Sequence, residues 1–225
     1  MNILFFLNER IAFIRQLYKR ASAPFEERIR QIEAGEEPFI PPYSEDGEPP
    51  FLDEWIEADE SRDALGHACI SMLSASLQLF FQTWNETLHL NCGVTHKYQF
   101  KADGWFNGFR TCFEDFIGAS WEQSPTSLGL LEEIALARNR VQHPKNLHSV
   151  SIQHSQHDYE KLGKRLFFTD QYGKNIMEDI GESEFSWLMS PMVKVNSDQL
   201  MVALTAVEKF CEWLDQKIQE ARARG

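Results

Sequence analysis

From Leu52 to His89 the chain runs without a proline, and its apolar and small side chains recur every three or four residues. Leu65, Cys69, Met72, Leu73, Ser76, Leu79, Phe80 and Trp84 carry that rhythm, and Asn91-Cys92-Gly93 supplies the stop. This period places the set on one face of an α-helix, so the segment reads as one long helix that must find apolar partners. Partners are at hand on both sides. Residues 2–34 read as a long helix or two joined ones, with Phe6, Arg10, Phe13, Ile14 and Leu17 on the repeating face and Pro24 as a break or restart. Residues 105–121 form an aromatic-rich third helix through Trp105, Phe106, Phe109, Phe113, Phe116 and Ile117, a run at core spacing rather than a stacking platform for bases. Ser124-Pro125-Thr126-Ser127 opens a fourth helix, 127–142, which Pro144 ends. A last helix starts near Ser197-Asp198 and lines up Leu200, Met201, Leu204, Val207, Cys211, Leu214 and Ile218, with basic residues where they suit the helix dipole.

The expected architecture is therefore all-α, an up-and-down helical bundle in a single domain, 1–225. It divides into an N-terminal helical segment (1–35), an acidic proline-rich loop (36–50), the bundle (51–144), an insertion (145–195) and the C-terminal helix (196–223). Residues 36–60 hold ten acids and no Lys or Arg, and five of the nine prolines fall there. Such a stretch reads as exposed loop leading into a solvated helix face. In the insertion, Arg165-Leu166-Phe167-Phe168-Thr169 and Lys174-Asn175-Ile176-Met177 around Gln171-Tyr172-Gly173 suggest a small hairpin.

Composition narrows the function classes. Of 225 residues, 43% are hydrophobic and 25% charged, with 17 Phe and 6 Trp, which excludes fibrous, low-complexity and disordered chains. A net charge of −12 argues against a surface that coats nucleic acid by charge alone, although residues 137–165 hold six basic side chains against two acids. Cys69, Cys92, Cys112 and Cys211 show no CxxC and no metal-ligand spacing, and Cys69 and Cys211, set among apolar residues at helical spacing, read as buried thiols in a reducing cytosol. The apolar start Ile3-Leu4-Phe5-Phe6-Leu7 meets Asn8-Glu9-Arg10 too early for a signal, and no stretch reads as the ~18 apolar residues of a membrane span. A cytoplasmic protein with no membrane attachment is expected.

Chemistry concentrates at the end of the fourth helix. Leu130, Leu131, Ile134, Ala137 and Val141 share an apolar stripe, and Arg138 falls inside it. A guanidinium there calls for an acidic partner or a cleft. Arg140 points to the opposite, polar face and reads as a solvated charge. Glu132, Asn139 and His143 stack on a third flank, and the Asn139–His143 i,i+4 pair is placed to orient the imidazole. Arg138 and His143 diverge by about 140° on an ideal helix, so they converge only if the last turn unwinds or a second subunit closes the site.

The run Arg138-Asn139-x-x-x-His143 before a helix-ending proline resembles the R-x4–6-H signature of HEPN domains, with Asn139 as the polar residue after the arginine. The helical context extends the resemblance over roughly 52–143 plus 197–223. Residues 36–60 and 145–195 are elaborations on a fold that is commonly shorter. The resemblance implies a metal-independent endoribonuclease serving as a toxin or defence effector, with no cofactor. RNA brings its own nucleophile, the 2′-hydroxyl. His143 would act as acid or base, Arg138 would neutralise the phosphorane and Asn139 would orient His143 or bind phosphate. Products would carry 2′,3′-cyclic phosphate. Implied partners are RNA, a second copy in a homodimer with the site at its interface, and a nucleotidyltransferase-like antitoxin. The alternative is a non-catalytic HEPN-like module that binds nucleotide, RNA or a protein.

Other candidates are weaker. His148, His154 and His157 with Asp158 are a poor metal set lying in apparent loop. His67, four residues after Asp63, reads as a paired helix-surface residue, and His89 and His96 flank a helix end. No GxGxxG follows a strand, and neither a P-loop nor GxSxG occurs.

Overall fold

The computed structural model describes residues 2–43, 49–143, 152–162, 166–170 and 191–224. These are mostly α-helical and contain no strand. The helices are α1 (Ile3–Ala34), α2 (Leu52–Thr87), α3 (Cys92–Thr95), α4 (Lys97–Ala102), α5 (Gly104–Ile117), α6 (Leu128–Gln142), α7 (Gln156–Leu162) and α8 (Ser197–Arg224). α2 is central: α1 lies along it, and α5, α6 and α8 close the core around it. The expected helices are all present, with the third ending earlier. Gly118, at φ 67, takes up the left-handed conformation that terminates α5 at Ile117.

Two details of α1 differ from the sequence expectation. The helix passes through Pro24 unbroken. A proline deletes one helical hydrogen bond, and here packing on α2 and α8 carries the helix across the gap. The buried face is also a different one: Ile3, Leu7, Ile11, Ile14 and Tyr18 face the core, whereas Phe6 and Phe13 are 55% and 56% exposed. The two stripes lie roughly 120° apart on a 3.6-residue helix. Only one of them meets α2 and α8.

Phe81 of α2 stands at the hub of the core. It makes ring contacts with Trp105, Phe106, Phe109, Phe113, Trp121 and Phe210 at centroid distances of 5.2–6.3 Å. The aromatic run of α5 is core, as its spacing implies. α2 also contains an 18-residue window of mean hydropathy 1.4, so by length and composition it could cross a membrane, which corrects the expectation that no stretch would qualify. Half of that window is buried inside the bundle.

The cysteines divide into two kinds. Cys69 and Cys211 are buried thiols, as expected, and burial pushes Cys69 up to about 11 and Cys211 well above its ordinary range. Cys92 and Cys112 form a disulfide with their Cα atoms 5.6 Å apart, a pairing the sequence reading did not anticipate. The Asn85 Oδ1 accepts the Cys92 N–H at 2.9 Å, turning α3 back against α5. In denaturant, alkylation without reductant should therefore label two of the four cysteines, and alkylation after reduction all four. Intact mass reads the difference, and four labels without reductant would disprove the bond.

Described parts of the 145–195 insertion are not peripheral. Leu166, Phe168, Val193 and Val195 are buried, and 166–170 lies bent against α6 and α8 rather than in a strand. The β-pairing among the described residues is one antiparallel bridge, Gln153 with Met192. Most of the expected hairpin, from Gln171 to Met177 with Arg165, lies outside the described residues.

Candidate functional site

α6 begins behind Ser127, in extended conformation, and stays helical to Gln142. Its last bond runs from the His143 N–H to the Asn139 carbonyl at 3.1 Å, so the final turn does not unwind before the histidine. Three faces result. Leu131, Ile134 and Ala137 are buried in the core, Glu133 and Arg140 face α7 and the 166–170 segment, and Glu132, Asn139 and His143 occupy the third flank.

Arg138 lies on the core-facing stripe, half-buried, as its position demands. Its Nη1 donates to the Asn139 Oδ1 at 3.1 Å, and its Nε is buried without a hydrogen-bond partner among the described residues. No described carboxylate pairs with it. The structure thus brings Arg138 and Asn139 together, while His143 is exposed at the helix end, linked to Asn139 through the backbone only. Glu132 turns away from this pair, accepting from Asn107 Nδ2 at 2.7 Å and pairing with Lys161 at 2.8 Å.

Arg140 is not the solvated charge its polar face suggested. Its Nε and Nη2 grip both oxygens of the fully buried Asp158 at 2.5 and 2.7 Å, and Nη2 also donates to Ser155 Oγ at 2.6 Å. Burial alone would raise the Asp158 carboxyl, but the Arg140 fork and the Ser155 amide outweigh it and hold the group below its ordinary value. The acid that a helical wheel cannot show lies on α7.

Beside this pair, the 166–170 segment is bolted through its backbone. The Glu133 carboxylate accepts the N–H groups of Phe167 and Phe168 at 2.9 and 2.7 Å. The His154 Nε2 bonds the Phe168 carbonyl at 2.8 Å. Gln199 donates to the carbonyls of Phe167 and Thr169, while its Oε1 accepts the Asn196 N–H in a reciprocal cap of α8. Glu133 and Gln199 escaped the sequence reading. Asn196-x-x-Gln199 was a legible capping signal, whereas nothing local marked Glu133.

Burial pushes Glu133 up to about 7 against the pull of its two amides, with Asp158 adding to the rise. Its raised value means stability that is fully present below pH 4.5 and is lost as pH rises through 7. His154, lowered by burial, acts in the opposite sense, its contribution fading as pH falls. Relative to Glu133→Gln, the wild type should therefore lose about 3 kcal/mol of unfolding free energy between pH 4.5 and 8, read by urea denaturation across that range. A pH-independent difference would show that Glu133 stays ionised throughout.

The described members of the histidine-rich set are not gathered into a metal site. His154 is committed to Phe168, Asp158 to Arg140, His157 is exposed, and His148 lies outside the described residues. Among the described residues no group of three or more His, Cys, Asp or Glu could hold a metal ion. His67 is not a surface partner of Asp63: its Nε2 bonds the Val193 carbonyl at 2.8 Å, and Asp63 pairs with Lys194. His96 pairs with Asp115 at 2.9 Å. Comparison with known proteins returns no match to this chain, whether among family models, curated proteins or solved structures.

Proposed function

We propose that the chain is a metal-independent endoribonuclease of HEPN type, a toxin or defence effector in which Arg138, Asn139 and His143 act on an RNA phosphate. The observation that carries this reading is Arg138. A half-buried guanidinium that has no carboxylate partner among the described residues, with its Nε shut away from solvent, is costly in a finished core. A phosphate offers that fork two oxygens and relieves the cost. Asn139, already bonded to Arg138, steadies the guanidinium plane and leaves its amide N–H groups for phosphate.

The chemistry then needs one group to take the 2′-hydroxyl proton and one to protonate the departing 5′-oxygen. His143 is exposed at the end of α6 and supplies one imidazole. Because α6 stays helical to Gln142, Arg138 and His143 of one chain point about 140° apart, which favours a site completed by a second copy across a two-fold axis. The same divergence favours a second reading, a non-catalytic module in which Arg138 binds the phosphate of a nucleotide or RNA. A nucleotidyltransferase-like antitoxin remains the proposed regulatory partner of the first reading.

Purified chain incubated with total RNA in EDTA should cleave it and leave 2′,3′-cyclic phosphate ends. His143→Ala should lower the rate at least ~100-fold with helical circular dichroism intact, since loss of a general acid or base costs that much. Arg138→Ala should do the same. Light scattering should report a dimer, and mixing the two inactive variants should restore some cleavage. Full activity in His143→Ala, or products with 3′-hydroxyl ends, would sink the enzyme reading, and RNA binding without turnover would establish the module.

A further inference from the structure

We infer that Arg140 and Asp158 are positioning residues that set the rotation of the last turn of α6, and with it the direction of Arg138 and Asn139. As a statement about activity, this rests on the ribonuclease reading above. The need for a clamp follows from burial. Along α6 the last fully buried side chain is Ala137, and residues 138–142 are half-buried or exposed. The turn bearing the site therefore projects beyond the apolar packing that fixes the rest of the helix.

The clamp replaces that packing. The Arg140 guanidinium engages both Asp158 oxygens and Ser155 Oγ, so it is fixed in plane as well as in place. Asp158 is held in turn: its Oδ2 also accepts the Ser155 N–H at 3.0 Å, and its own N–H donates to Ser155 Oγ at 3.1 Å. Ser155 follows His154, whose ring is tied to the carbonyl of the fully buried Phe168. An unbroken chain of bonds thus runs from the core through α7 to Arg140. Arg138 and Arg140 flank Asn139 on the same turn and point roughly 160° apart. Fixing one azimuth fixes the other, and a bidentate phosphate contact depends on that azimuth.

The test compares Asp158→Asn and Arg140→Lys with the wild type by hydrogen exchange and RNA cleavage. Amides of Val141, Gln142 and His143 should exchange at least tenfold faster in both variants, with α2 and α8 still protected, and cleavage should fall at least tenfold. Arg140→Lys keeps the charge but cannot span both oxygens, so it should fail to restore protection, whereas a simple electrostatic brace would be restored by it. Unchanged exchange at 141–143, full rescue by Lys, or protection lost uniformly through α2 and α8 would each overturn the positioning role. Cleavage insensitive to Arg138→Ala and His143→Ala would remove the ribonuclease reading instead, and the exchange data would still decide whether the clamp orders the turn.

Discussion

Phe81→Ala should lower the free energy of unfolding by about 3–5 kcal/mol, the range for truncating a buried aromatic. The cost is placed at the high end by its neighbours. Six rings surround the fully buried Phe81, four from α5, one from the turn at Trp121 and one from α8, so three rigid elements meet around it. Three elements cannot all shift inward to fill one void, so most of the cavity persists. Urea denaturation followed by Trp fluorescence measures the change. A loss below about 1 kcal/mol would mean that the ring cluster repacks freely, against close packing of the core.

Gly66→Ala should cost about 3 kcal/mol, although alanine is the better helix former by about 1 kcal/mol in a helix interior. Gly66 sits mid-helix on α2, where a Cβ would lie 2.1 Å from the Val195 carbonyl oxygen and 3.1 Å from the Val195 Cβ. The obstacle is backbone, and that backbone is pinned. The Val193 carbonyl accepts from His67, the Lys194 N–H donates to Phe168, and Asn196 caps α8. The substitution must therefore move the 191–195 segment off α2 or bend α2 itself. Increased stability would show that the segment does not rest on Gly66.

The helices were legible because their signals are local. Ser127 before α6, Pro144 after it, and the apolar rows of α2 and α8 act within a few residues of the elements they define. What was not legible depended on distant chain. Phe6 and Phe13 repeat as regularly as Leu7 and Ile14, and only the placement of α2 and α8 decides which row is covered. The cysteines at 92 and 112 meet because α3 folds back on α5, a tertiary event that spacing does not announce. At the site, helical geometry set Arg138 and Arg140 on opposite sides of α6, and both are half-buried. It could not show that α7 would present a buried acid to Arg140, while no acid among the described residues meets Arg138. Glu133, His154 and Gln199 bond to the main chain of 166–170, and such pairings carry no side-chain complementarity for a sequence to display.

The long reach of these pairings bears on how the chain is made. Arg15 of α1 pairs with Glu208 of α8 at 3.0 Å, across 193 positions, and the bond from His67 to Val193 spans 126. The helices themselves can form as they emerge, since their contacts are local. The core cannot close in that order. Until residues 166–218 have been synthesised, the apolar faces of α1, α2, α5 and α6 lack the cover that Phe168, Val193, Val195 and the inner face of α8 supply. The core of this chain is therefore closed by the docking of segments made after α6, and winding the helices alone does not complete it.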